Sequence, residues 1–442
     1  MNYIEKIPFN GNAIDIFERI FDNKTLNIFF YSPKLKLKRT KSWIKDASRY
    51  SIILKEPQKI VTSKTLNDDI FKIIEKNICP VSTKKTVLRP PFTGGWAGIM
   101  SYEMLGLFEN IHIARIDKKL NLPYYIFGLF KKGIIIDNYT NILYVFGNNN
   151  KEVDLILKEI KSPGYHLPCC TIRDTKWTGM VPKNKFLKMV KKAKYYIKEG
   201  DIYQVNLAQP FKLYKNSKNN TFHIFRKLMN VNPSPFSCYL NYKDEIEVIS
   251  CSPERLFKKS GNYIETRPIA GTYPIKQKNS FKRDTKELAE HIMLVDLERN
   301  DLGRIAETGS VKVQDLLEIE EYSHLIHLVS RITTKLKKNI TIKDIFRAIF
   351  PGGTITGCPK VRAMQIISEL ESYPREFYTG AAGYISFDSN MDFNIIIRTL
   401  VFKGIEGRLY TGAGIVADSI PRNEYKETLR KAEAFFEIIR DK

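Results

Sequence analysis

The sequence predicts an α+β protein built on large antiparallel sheets, and three observations carry that reading. Runs rich in β-branched and aromatic residues follow one another at hairpin spacing, helical periodicities cluster instead of alternating with each strand, and strands return before a terminal helix. A parallel α/β chain would alternate strand and helix throughout.

In chain order, Asn27–Tyr31, Tyr50–Leu54, Gly133–Asp137 and Ile142–Gly147 read as strands, with Asn138-Tyr-Thr-Asn141 as a hairpin turn. Residues 161–177 carry two prolines and a glycine and break every periodicity, so a linker is placed there between a lobe at 1–160 and a second domain at 178–442. A helix opens after Pro182 with Phe186, Met189, Val190, Ala193 and Ile197 on one face, and Gly200 ends it. Strands follow at Ile202–Leu207, Ser237–Leu240, Glu247–Cys251 and Tyr263–Arg267. Helices come next at Thr285–Val295, Ile342–Ile349 and Lys360–Leu370. Strands at Gly383–Phe387, Phe393–Phe402 and Arg408–Ala413 then precede a helix at Glu424–Ile439.

Composition narrows the class. With 442 residues, 43% of them hydrophobic, the chain can bury two or three cores or one two-lobed core, which excludes a mainly disordered protein. The net charge of +23 is spread as scattered lysines, and no zinc finger, basic zipper or RNP-type stretch accompanies it, so no nucleic-acid partner is expected. No apolar run approaches the ~20 residues of a spanning helix, and the first residues lack the order of a secretory leader; a soluble cytoplasmic protein is expected, with no membrane partner. The six cysteines show neither C-x-x-C nor zinc-ligand spacing, which fits reduced thiols.

Several groupings are suited to chemistry. Glu287 and Glu290 are three apart on one helix face, and Glu424 and Glu427 repeat that spacing; two such pairs suit Mg²⁺, or they are solvated faces partnered by lysines. Pro351-Gly-Gly-Thr-Ile-Thr-Gly-Cys-Pro-Lys360 is a glycine turn entering a helix, where backbone amides favour an anion, although it lacks the Walker spacing. Thr411-Gly-Ala-Gly-Ile-Val is a strand whose bare backbone could meet a ligand. Glu254 follows Ser-Pro at the end of an apolar strand, where desolvation would raise its pKa and suit a general acid, or it is a strand-end surface residue. His327 lies in an apolar run that suits a core histidine or a catalyst. Arg398 interrupts another, where a guanidinium calls for an anion.

Taken in order, Gly200-Asp-Ile-Tyr-Gln-Val-Asn-Leu, Asn232-Pro-Ser-Pro-Phe, Ser252-Pro-Glu, Arg267-Pro-Ile-Ala-Gly-Thr, Glu287-Leu-Ala-Glu-His, Leu294-Val-Asp-Leu-Glu-Arg-Asn-Asp, Tyr322-Ser-His-Leu-Ile-His, Pro351-Gly-Gly-Thr, Ile397-Arg-Thr, Thr411-Gly-Ala-Gly-Ile-Val-Ala-Asp-Ser and Glu427-Thr resemble the chorismate-utilising enzymes. The likeness is dense over about 180–440 and thinner before it, through Arg49-Tyr-Ser and Pro91-Phe-Thr-Gly-Gly. It implies two large antiparallel β-sheets forming a sandwich wrapped by helices, as in anthranilate synthase component I. It also implies Mg²⁺ held by Glu290 and Glu427, with Glu287 and Glu424 behind them, and Glu254 as the acid assisting loss of the ring hydroxyl of chorismate. Ala270, Thr272, Thr356, Tyr384, Arg398, Gly412, Ala413, Gly414 and Lys431 would bind substrate, and His327 would join the catalytic group.

Isochorismate- and salicylate-forming members carry a lysine base where this chain has Gln204, so the resemblance implies ammonia as the nucleophile. Two branches use it. Ala270 stands where many aminodeoxychorismate synthases carry lysine, as in the anthranilate branch. Val205-Asn-Leu-Ala-Gln, Asn232-Pro-Ser-Pro-Phe-Ser-Cys-Tyr-Leu, the 350–360 turn, Gly383-Tyr-Ile-Ser-Phe and Asn390-Met-Asp read like the aminodeoxychorismate branch. Phe29-Phe-Tyr-Ser32 replaces the signature that binds feedback tryptophan in anthranilate synthases. The aminodeoxychorismate branch is therefore expected, with the anthranilate branch as the alternative and a non-enzymatic basic binding protein as a remote one. No Gly-x-Cys-x-Gly glutaminase elbow occurs, so a separate glutamine amidotransferase subunit is the expected ammonia source.

Overall fold

The computed structural model describes residues 3–34, 46–67, 69–78, 90–113, 120–162, 177–217, 221–274, 285–321 and 325–439. Most of the 161–177 linker and Tyr322-Ser-His324 lie outside them, as do the side chains of Ala270 and Thr272.

Among the described residues the strands form two antiparallel sheets, one of twelve strands and one of ten. The larger runs in the order Tyr3–Pro8, Ile142–Gly147, Gly133–Asp137, Tyr50–Leu54, Leu26–Tyr31, Phe236–Tyr242, Ile246–Ser252, Thr399–Lys403, Glu406–Ile415, Gln204–Tyr214, Gly357–Cys358, with Thr178–Gly179 also on Gln204–Tyr214. The smaller joins Ile269–Pro274, Leu325–Lys335, Tyr263–Thr266, Arg255–Ser260, Met391–Ile395, Ala381–Ser386, Gly95–Met100, Tyr125–Phe130 and Lys59–Ser63, with Lys312–Glu321 on Leu325–Lys335. Both sheets mix strands from before and after the 161–177 segment: Leu26–Tyr31 pairs with Phe236–Tyr242, and Gly95–Met100 pairs with Ala381–Ser386.

The central strands are apolar on both faces because both faces are covered, whereas outer ones such as Tyr3–Pro8 and Lys59–Ser63 keep exposed polar positions. In Leu26-Asn-Ile-Phe-Phe-Tyr31, alternation sends Ile28 inward among Ile99, Ile126 and Val248 from both sheets. Phe29 points the other way, beneath Phe17 and Phe225 of the helices Ala13–Ile20 and Phe222–Val231. Ile342–Ile349 sets Phe346 against Phe257 and Phe393 of the ten-stranded sheet, while Lys183–Lys198 and Lys360–Leu370 pack on Gln204–Tyr214 of the larger one, and Phe186, Phe346 and Ala363 of the three helices join one core. Ile342–Ile349 starts at a capping box, in which Thr341 and Asp344 satisfy each other's backbone N–H groups. No helix among the described residues is long and apolar enough to cross a membrane.

The structure adds elements that the sequence reading did not give, such as Gly95–Met100, Leu325–Lys335 and Phe222–Val231, and it departs from that reading beside the sheet crossovers. The expected strand Phe393–Phe402 is two strands in different sheets, Met391–Ile395 and Thr399–Lys403. Arg398, at φ 52°, turns the chain between them. Arg255-Leu-Phe-Lys-Lys-Ser260, too polar to signal a strand, is one: the buried Arg255 is held by Asp392 and Glu265. The Ser252–Arg255 crossover between the sheets lies directly beside the Ile395–Thr399 crossover. Ser252 Oγ donates to the Ile395 carbonyl at 2.6 Å, and Ile395 N–H donates to the Glu254 carbonyl at 3.1 Å.

Candidate active site

The paired crossovers open on a cavity of about 520 Å³ whose lining includes Asn206, Glu254, His327, Thr354, Tyr378 and Arg398. Glu254 is 6% exposed. Burial pushes its pKa up to about 7, against the opposing pull of the hydrogen bond from Thr354 Oγ1, 2.7 Å from Oε1, and of the Arg398 charge. A carboxyl in this state is partly protonated at neutral pH. Arg398 is partly buried, and desolvation lowers its pKa. Among the described residues no carboxylate closes an ion pair with it, so the cavity presents a cation suited to an anionic ligand.

On the facing wall, Lys431 Nζ donates to the Gly412 carbonyl at 2.9 Å and pairs with Glu427 at 2.7 Å. Gly412 has no room for a side chain: a Cβ there would stand 2.4 Å from Asn206 Oδ1 and 3.0 Å from the Tyr378 hydroxyl. Tyr378 stacks on Tyr410 with ring centroids 5.4 Å apart. His327 Nδ1 donates to the Gly271 carbonyl at 3.3 Å, and burial lowers its pKa to about 4, so the ring is neutral at pH 7.

The sequence-derived candidates divide by position. Glu254, His327, Arg398, Gly412 and Lys431 line the one cavity. Thr272 pairs in register with His327, and Ala270 with Leu328, along the adjoining strand. Gly414 lies two residues beyond Gly412 on its strand, and the Gln204 amide packs on it, Nε2 standing 2.8 Å from a Cβ built there; Ala413 between them is buried in the core. Thr356 turns inward, its hydroxyl donating to the Gly352 carbonyl at 2.8 Å, while Thr354 two residues earlier reaches Glu254. Tyr384 lines a separate cavity of about 70 Å³ with Phe30, Ser32 and Pro235, and Tyr378 is the tyrosine beside Gly412.

Glu287 and Glu290 lie on the Thr285–Gly303 helix, and Glu424 and Glu427 on Pro421–Ile439. Carboxylate oxygens are the donors a hard dication takes. Among the described residues, however, no set of three or more His, Cys, Asp or Glu side chains is grouped to hold a metal, and Glu427 is engaged by Lys431.

Sequence reasoning passed over Asn206, Thr354, Tyr378 and Arg375. Asn206 and Thr354 sit within stretches already quoted and Tyr378 does not, and only the fold turns all three into the cavity. Arg375 is 1% exposed and ties three lining segments together. Its guanidinium donates to the carbonyls of Ile355 at 2.8 Å and Asn206 at 2.7 Å and to Thr379 Oγ1 at 3.4 Å, and it pairs with Glu371 at 2.7 Å. Nothing in Tyr-Pro-Arg-Glu-Phe distinguishes it from a surface arginine.

A family model described as chorismate binding enzyme matches residues 35–437. The chain is 36% identical to anthranilate synthase component 1 of Aquifex aeolicus, over 99% of this chain and 96% of that one. It is 39% identical to aminodeoxychorismate synthase component 1 of Bacillus subtilis, over 78% and 77%. The crystal structure of anthranilate synthase component I from Streptococcus pneumoniae superposes with a TM-score of 0.76 at 30% identity, covering 91% of this chain and 94% of that one. A family match spanning nearly the whole chain, on a fold whose cavity gathers an acid and two cations, has one consequence: the chain belongs to the chorismate binding enzyme family.

Proposed function

We propose that the protein replaces the ring hydroxyl of chorismate with ammonia, giving 4-amino-4-deoxychorismate for 4-aminobenzoate formation, and that a glutamine amidotransferase subunit supplies the ammonia. The observation that carries this reading is the pairing, in one cavity, of a partly protonated Glu254 with the cations Arg398 and Lys431. Chorismate offers two carboxylates and a hydroxyl that leaves only as water. Arg398 and Lys431 supply charge for the carboxylates, Thr354 fixes the Glu254 carboxyl, and Glu254 donates the proton with which the hydroxyl departs. Ammonia adds to the ring and loses a proton, so chorismate and ammonia become the amine and water.

Mg²⁺, held by Glu290 and Glu427 with Glu287 and Glu424 behind, would neutralise the ring carboxylate when bound. Gln204, an amide that cannot serve as a base for water, favours ammonia over hydroxylation. Among the described cysteines, burial raises the thiol pKa of Cys238 and Cys251, and Cys358 sits between Gly357 and Pro359, so none is a set-up glutaminase nucleophile.

A second reading, anthranilate synthase component I, is favoured by relatives of that name and by the neutral His327 in the cavity wall, since that reaction must also expel pyruvate. Chorismate consumption with ammonium and Mg²⁺ tests what both readings share. A purified chain that leaves chorismate untouched under those conditions contradicts both.

A further inference from the structure

Asn206 lies on the Gln204–Tyr214 strand where it borders the cavity, and its backbone is fully used: N–H donates to the Thr356 carbonyl at 2.8 Å and C=O accepts from Arg375 at 2.7 Å. Its side chain is not. The Oδ1 atom is buried and has no hydrogen-bond partner among the described residues, although it sits by Gly412 and Tyr378 at the cavity wall. An orphaned buried acceptor destabilises the empty protein and is retained at a functional wall when a ligand supplies the missing donor.

The ligand's chemistry limits what that donor can be. At neutral pH the carboxylates of chorismate only accept, which leaves the ring hydroxyl as its strong donor. The same 354–356 turn that takes the Asn206 N–H sends Thr354 to Glu254, so the orphan acceptor and the acid flank one turn. We infer that Asn206 is a specificity-determining residue whose Oδ1 accepts a hydrogen bond from the substituent at the ring's C4, first the hydroxyl of chorismate and then the N–H of the aminated product. This rests on the amination reading above and assigns a residue to the discrimination of that position.

The test uses the full chain with Asn206→Leu, close in volume without the acceptor, and Asn206→Ala, which cannot crowd Gly412. Each variant is measured for thermal midpoint without ligand, for the KM of chorismate, and for inhibition by a chorismate analogue lacking the ring hydroxyl. The expected result is an unchanged or higher midpoint, because an orphaned polar atom is gone, with KM raised about 10- to 100-fold. The wild type should prefer chorismate over the analogue by a similar factor, and both variants should lose that preference. A merely structural asparagine would lower the midpoint and leave the preference intact; that outcome, or a KM within twofold of wild type, overturns the inference. If the wild type ignores chorismate altogether, the amination reading fails first, and the ligand-free midpoints still report whether the acceptor is an orphan.

Discussion

Ile395 donates its backbone N–H to the Glu254 carbonyl at 3.1 Å, which fastens the crossover carrying the acid to the crossover carrying Arg398. One strand leaves the larger sheet for the smaller at 252–255, and another returns at 395–399. The acid and the partly buried cation thus share a seam between two sheets, where their separation is set by backbone.

The buried carboxyl gives a signed pH dependence. Its folded pKa of about 7 lies above the ordinary 4.5, so the stability that protonated Glu254 contributes is complete below about pH 4.5 and is lost as pH rises through 7. Activity per unit of free ammonia should fall above pH 7 for the same reason. Glu254→Gln should abolish turnover, flatten this part of the stability profile and melt above wild type at pH 8. Thermal scans from pH 5 to 8 check it; a variant that loses stability at pH 8 contradicts the assignment.

Gly412→Ala tests the closeness of the cavity wall. The added methyl meets Asn206 Oδ1, the Tyr378 hydroxyl and the Leu207 carbonyl at 2.4, 3.0 and 3.2 Å. Displacing these groups should lower kcat/KM about 100-fold with the protein still folded, the cost of misplacing reacting groups by an ångström. Steady-state kinetics with circular dichroism decides; activity within threefold of wild type would mean that the wall yields.

Arg375→Lys keeps the charge and loses the fork that reaches Ile355, Asn206 and Glu371 together. Breaking that set should cost on the order of 3 kcal/mol of stability. Below the lowered melting point it should also raise the chorismate KM, because the lining segments lose their common anchor. Glu247→Gln, which breaks a buried pair with Lys215, is the control and should destabilise without moving KM. Equal KM values in the two variants would refute the anchoring role.

For the metal, Glu290→Gln and Glu427→Gln should each remove ammonia-dependent turnover while leaving the melting curve near that of wild type, since both side chains are only partly buried. EDTA should silence the wild type and added Mg²⁺ should restore it. Full activity of either variant in EDTA would end the metal assignment.

The fold class was legible because burial on both faces leaves apolar runs in the strands Tyr50–Leu54, Gly133–Asp137 and Ile142–Gly147, and burial on one face leaves helical periodicity in Ile342–Ile349 and Lys360–Leu370; all five begin and end where these patterns place them. Glu254 was legible as a carboxyl just past the end of an apolar strand, where desolvation acts on it, and Arg398 as a cation interrupting an apolar run, a pattern that needs an anion. The rest depended on three-dimensional events with no local signature. Arg398 reverses the chain instead of continuing a strand. Thr354, which sequence reasoning passed over, reaches Glu254, while the hydroxyl of the expected Thr356 is taken up by the turn's own backbone. Tyr384 and Tyr378 are six residues apart yet face different cavities. The carboxylate pairs were read from spacing alone, which places residues on a helix face but does not bring two helices together.

The product formed from chorismate, Mg²⁺ and ammonium tests the central claim most directly. The account predicts chorismate loss without anthranilate fluorescence or pyruvate, and a product that yields 4-aminobenzoate only after a separate lyase is added. Anthranilate and pyruvate appearing in equal amounts from this chain alone would contradict it.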